Sequence, residues 1–139
     1  MSGTEGAAVW VNVTTVSGDE AFTFTGIGTL RRDSRGTHLR YTARNGEGET
    51  ISSAVHLGMG RAMVDAGAYR LLLDPSRPTA ARIGVEGGAL ELTATTHRVR
   101  EELVGDTGTI FLHYTLAAGE RPLQEMQVEL VLRPMEQEP

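Results

Sequence analysis

The chain has 139 residues, 40% hydrophobic and 22% charged, with a net charge of −5, the balance of one globular domain long enough to bury a sizeable core. It has no cysteine, which excludes disulfides, thiolate nucleophiles and cysteine-held zinc or iron–sulfur centres, and all thirteen basic residues are arginine, which excludes Schiff-base lysine chemistry and a phosphate-loop lysine. No apolar run nears the ~20 residues of a membrane helix, the start MSGTEGAAVWVNV has no secretory leader pattern, and arginines are interleaved with acids. A cytoplasmic protein with no membrane and no nucleic-acid partner is expected.

Period-two alternation begins at once, with Val9, Val11 and Val13 against Trp10, Asn12 and Thr14. After the turn VSGDE come Phe22, Phe24 and Leu30, separated by Thr23, Thr25 and Thr29. Leu39, Tyr41 and Ala43 follow the DSRG turn at 33–36, and Ile51, Ser53, Val55 and Leu57 follow NGEGE. Two short runs, MGRAMVD and AYRLLLD, flank Gly67. Ile83 and Val85 lead to Gly87-Gly88, which opens Leu90, Leu92 and Ala94. The segment THRVREELVG (96–105) is the best helical candidate, yet Val99 and Leu103 make a thin stripe, and it reads equally as a strand running on into a turn. Then Ile110, Leu112, Tyr114 and Leu116 alternate with Thr109, Phe111, His113 and Thr115, and Met126, Val128, Leu130 and Leu132 close the series.

This pattern predicts about eight to ten strands joined by short turns, all-β, in a single domain 1–139 with its core over 8–133 and a frayed tail from 134. Sequential antiparallel strands remove their edges most simply by closing into an up-and-down barrel, which either fills with side chains or holds one small ligand.

Three stretches, FTFTGIGTLRRDSRGTHLRYTA, DAGAYRLLLDP and GALELTATTHRVREELVGDTGTIFLHYTL, resemble the YwiB-like group of small bacterial proteins. Thr25-Gly26, Leu39 and Tyr41, Gly67, Thr95 or Thr96, and the run Gly108, Ile110, Leu112, Tyr114, Leu116 match that group in order and spacing. The resemblance covers about residues 8 to 133 and implies a calycin-type, lipocalin-like barrel with no assigned activity. Two departures stand out: Asp65-Ala66 before Gly67 in place of an arginine, and RIGVEGG without the tyrosine and proline of the corresponding turn.

Catalytic signals are weak. His38, His56, His97 and His113 show no metal-pair spacing, so no metal and no cofactor are expected. A lone buried histidine such as His113 could ligate haem iron, but a histidine satisfied by a neighbouring strand is the plainer account. Ser52 and Ser53 with Asp65, Asp74 or Asp106 supply triad residue types without a nucleophile elbow. Gly26-Ile27-Gly28 and Gly58-Met59-Gly60 lack a following helix and read as bulges or corner kinks.

Arg40, Arg61, Arg70, Arg82 and Arg98 fall mid-strand, and most should lie outside. Arg98 continues the inward Leu90–Leu92–Ala94–Thr96 face, which nominates Arg98, Tyr41 and Tyr114 as an anion-clamping pocket. The Phe111 and His113 face is then exterior, and with Trp10 and Val131 it forms a candidate homodimer interface. The leading expectation is a non-catalytic barrel binding a small, partly apolar or anionic ligand, with a cavity above ~300 Å³. The alternative is a filled barrel acting as a structural or regulatory interaction protein through that outer face; an enzyme is the weaker reading.

Overall fold

The structure is a computed structural model that describes residues 6–135. Ten strands follow in chain order: β1 (Ala7–Ser17), β2 (Glu20–Asp33), β3 (Gly36–Arg44), β4 (Thr50–Gly58), β5 (Arg61–Asp65), β6 (Tyr69–Leu73), β7 (Thr79–Val85), β8 (Gly88–Val104), β9 (Thr107–Ala118) and β10 (Arg121–Pro134). Each pairs antiparallel with its chain neighbours, and β1 pairs with β10 to close the barrel. The expected up-and-down barrel is therefore found. The stretch 96–105 is strand and turn: β8 runs through to Val104, with its two faces committed to opposite sides of the wall. Of the expected tail, Pro134 ends β10, and 136–139 lie outside the described residues.

The alternation sorts side chains as the period of a pleated strand requires. Val9, Val11 and Val13, Leu30, Leu39, Leu73, Ile110, Leu130 and Leu132 meet in the middle and are almost wholly buried. Burying one such side chain contributes about 1.5–3 kcal/mol, so this packed centre is the main source of stability. It also leaves little room along the axis.

Two irregularities break the register. One lies in β10 between Pro122 and Gln124. The other lies in β8 between Thr96 and Arg98, where His97 is the extra residue. A bulge shifts every later side chain to the other face. Thr96 is buried opposite Tyr114, but beyond His97 the inward set becomes Val99, Glu101 and Leu103.

Of the two alternatives, bulge or corner kink, Gly26 and Gly28 do not form the bulge. Their register with β3 is unbroken, from Gly26 opposite Ala43 to Gly28 opposite Tyr41. A Cβ at Gly26 would collide with the Thr42 carbonyl oxygen, and one at Gly28 would crowd Tyr41. The glycines let the β3 backbone approach β2 closely. Gly58-Met59-Gly60 is a tight hairpin turn, with φ of 55° at Met59 and 77° at Gly60.

Candidate functional site

The two ends of the barrel differ. At the end formed by the turns 33–36, 58–61, 73–79 and 104–107, polar groups cross the lumen. Thr37 of β3 donates its hydroxyl to Glu101 of β8, on the opposite wall. Arg32 of β2 lies 3.5 Å from the same carboxylate and 3.5 Å from the Gly105 carbonyl oxygen. Arg32 shares its face with buried Leu30 and pairs in register with Thr37, so it reaches over the end of the core. This end is sealed.

At the other end, the turns 17–20, 44–50, 65–69, 85–88 and 118–121 surround an apolar mouth. By strand parity Phe22, Val85 and Leu90 belong to inward stripes, yet they are 46%, 45% and 49% exposed. Phe24, Ile83, Leu92 and Met126 lie behind them, partly buried against the core. Gln124 donates to Ser17 Oγ at 2.6 Å on the rim.

Among the inward-facing side chains of this half are three tyrosines and two small hydroxyls. Tyr41 stands opposite Ser53 across β3–β4, and Tyr114 opposite Thr96 across β8–β9. Burial pushes the Tyr41 phenol up to about 12, opposed by the nearby Ser53 hydroxyl. Burial also raises Tyr114 well above its ordinary value, reinforced by Tyr69 and Tyr41. Tyr69 exposes a third of its surface, but desolvation of the phenol raises it too. The three phenols thus sense one another. Ser53 Oγ and Thr96 Oγ1 are buried with no hydrogen-bond geometry closed to any described group, even though Ser53 lies beside Tyr41. A buried hydroxyl left unpaired costs about 1–3 kcal/mol, so two of them flanking these tyrosines need a partner.

The expected trio is split. Tyr41 and Tyr114 face inward, but Arg98 is exposed on the outer face opposite His113, because the bulge at His97 flips the strand one residue before it. Arg40, Arg70 and Arg82 are also exposed on the outside. The arginine that reaches over the lumen is Arg32 at the sealed end, which the sequence reading passed over. Tyr69, Ser53 and Thr96 were missed as site residues as well. Their signal was available: each sits on an otherwise apolar inward stripe, Ser53 between Ile51 and Val55, and Tyr69 ahead of Leu71 and Leu73.

His113 faces outward and contacts Glu125 at 2.6 Å, so it is not the lone interior imidazole that a haem site requires. Trp10, Val131 and Phe111 share the outer face of β1, β10 and β9: Trp10 pairs with Ile27, and Val131 and Phe111 are diagonal neighbours across β10–β9. All four histidines form cross-strand ring pairs, His38 with His56 and His97 with His113. Among the described residues no cluster of three or more metal-ligating side chains forms, and no helix is long and apolar enough to cross a membrane. The best-formed concavities, about 390–600 Å³, open on the outer face or at the turns rather than in the packed centre.

A family model described as a domain of unknown function, DUF1934, matches residues 11–130. The solved structure of the YwiB protein from Bacillus subtilis superposes with a TM-score of 0.76 at 19% identity, covering 93% of this chain and 92% of that one. That likeness bears out the YwiB-like barrel expected from the motif order. No curated protein matches the chain.

Proposed function

The chain belongs to the DUF1934 family, and we propose that it is a non-catalytic binding barrel that takes a small, mostly apolar ligand at its open mouth. A calycin-type use of the barrel, but a shallow one, fits the filled centre. The observation that carries the reading is the pair of buried, unpartnered hydroxyls, Ser53 Oγ and Thr96 Oγ1, beside Tyr41 and Tyr114. A ligand hydroxyl or carbonyl at that depth satisfies them, while Phe22, Val85 and Leu90 cover its apolar body. With no arginine in the cluster, the polar end is uncharged.

The test uses the neutral fluorescent probe N-phenyl-1-naphthylamine, with Leu90→Asp in the mouth and Ile27→Asp on the outer face. Saturable binding that Leu90→Asp abolishes and Ile27→Asp retains supports the reading. Equal loss in both variants, or no binding to the parent, overturns it. Native mass spectrometry of protein purified from its own host then gives the mass of any resident ligand.

A second reading is favoured by the outer stripe Ile27–Trp10–Val131–Phe111: a twofold homodimer, with Glu129 beside Phe111 in register and Arg133 beside Trp10. A twofold contact can set the acid of one copy against the arginine of the other. Sedimentation equilibrium checks it: Trp10→Asp must convert a dimer to a monomer, and a parent that is already monomeric removes this reading.

A further inference from the structure

A second site lies on the outside of the barrel, independent of the mouth. The wall of β2–β5 carries a groove of about 430 Å³ lined by Thr29, Arg31, His38, Arg40 and His56, with Asp65 at its edge. The register explains why these groups converge. Arg31 pairs with His38 and His38 with His56, making one row; Thr29 pairs with Arg40, Arg40 with Ala54 and Ala54 with Asp65, making the next. Two guanidiniums and two imidazoles thus share a patch two residues deep on three adjacent strands.

The local wiring favours an anion over a cation. The imidazoles stack at 4.3 Å and 10°. His38 Nε2 lies 3.2 Å from Asp33 Oδ1 and His56 Nε2 lies 3.3 Å from the Arg35 carbonyl oxygen. Both partners only accept, so each Nε2 carries its proton and each Nδ1 is uncommitted. Anchored rings with free Nδ1 atoms could ligate a metal, but Arg31 and Arg40 repel one. The two nearby acids are already engaged, Asp33 with Arg31 at 3.6 Å and His38, and Asp65 with Arg70 at 3.3 Å. Arg40 has no ion-pair partner among the described residues. Arg40 therefore leaves one uncompensated positive charge on the patch, on a chain whose net charge is −5.

We infer that this groove binds the phosphate group of a small phosphorylated molecule. Arg40 and Arg31 clamp the oxyanion beside the stacked rings of His38 and His56.

The experiment is a nitrogen-15 amide and side-chain NMR titration of the full chain with inorganic phosphate, glucose 6-phosphate and glucose at low salt. The expected result is saturable shifts confined to Arg31, His38, Arg40 and His56, weakened by salt, and reduced at least fivefold in affinity by Arg40→Gln. Arg100→Gln, on the outer face of β8 across the barrel from β3, leaves affinity unchanged. Equal affinities for inorganic phosphate and the ester assign the site to the free ion; tighter ester binding assigns it to a phosphorylated metabolite. Shifts spread over all exposed arginines, no shifts at 20 mM ligand, or shifts with zinc but not phosphate overturn the inference.

Discussion

Thr37 and Glu101 bond across the lumen although β3 and β8 stand on opposite walls of the barrel. Thr37 is 2% exposed, so its hydroxyl has little recourse to water. Glu101→Ala should destabilise the protein by about 1–3 kcal/mol, with the hydroxyl stranded. Thr37→Val, which removes the hydroxyl and leaves Glu101 its Arg32 partner, should cost less. Urea unfolding of both variants checks the order; an equal or inverted order removes the cross-lumen bond as the seal.

Ser53→Ala and Thr96→Val carry the opposite expectation. Removing a buried group that has no partner should leave the ligand-free protein unchanged or stabilise it by up to about 1 kcal/mol. The same substitutions should weaken binding of a mouth ligand. A loss of stability above about 1 kcal/mol in the free protein means that buried water already satisfies both hydroxyls, and the main support for the mouth site goes.

The three tyrosines make an alkaline prediction. Each phenol is raised in the folded state, Tyr41 to about 12, whereas unfolded tyrosine ionises near 10. Below pH 10 both states hold the proton and this contribution is fully present. Above it the unfolded chain loses protons that the native chain keeps, and stability falls as pH rises through the folded values. Tyrosinate absorbance at 295 nm should show little change at pH 10, then rise steeply together with loss of native circular dichroism. A normal titration at pH 10 in the native protein would contradict the buried cluster.

Gly26→Ala tests the close approach of β2 and β3. The added methyl meets the Thr42 carbonyl oxygen and backbone rather than a movable side chain, so strand separation is the only relief. A loss above about 2 kcal/mol is expected, compared with less than about 1 kcal/mol for Gly46→Ala, where nothing lies within 4 Å of the new methyl. Thermal melts of the two variants distinguish a close approach from generic glycine loss.

The ring of strands was legible because a period of two survives in almost every element. Val9-Val11-Val13 and Ile110-Leu112-Tyr114-Leu116 declare their buried face without reference to any partner strand. Short turns such as 33–36 and 85–88 allow only antiparallel neighbours, so pairing order and barrel closure followed from chain order and the need to hide edges. Tyr41 and Tyr114 were placed correctly for the same reason.

Arg98 shows where that reasoning stops. Parity carries a side chain inward only while the register is unbroken, and the bulge at His97 is set by how β8 bends against β9, a contact between segments with no local signature in THRVRE. The meeting of Thr37 with Glu101, and of His38 with His56, depends likewise on strand tilt and stagger round the closed wall. Alternation along one strand therefore specifies which face a residue occupies. Which residues meet across the lumen or along the outer wall is specified by the register between strands, a property of the assembled sheet.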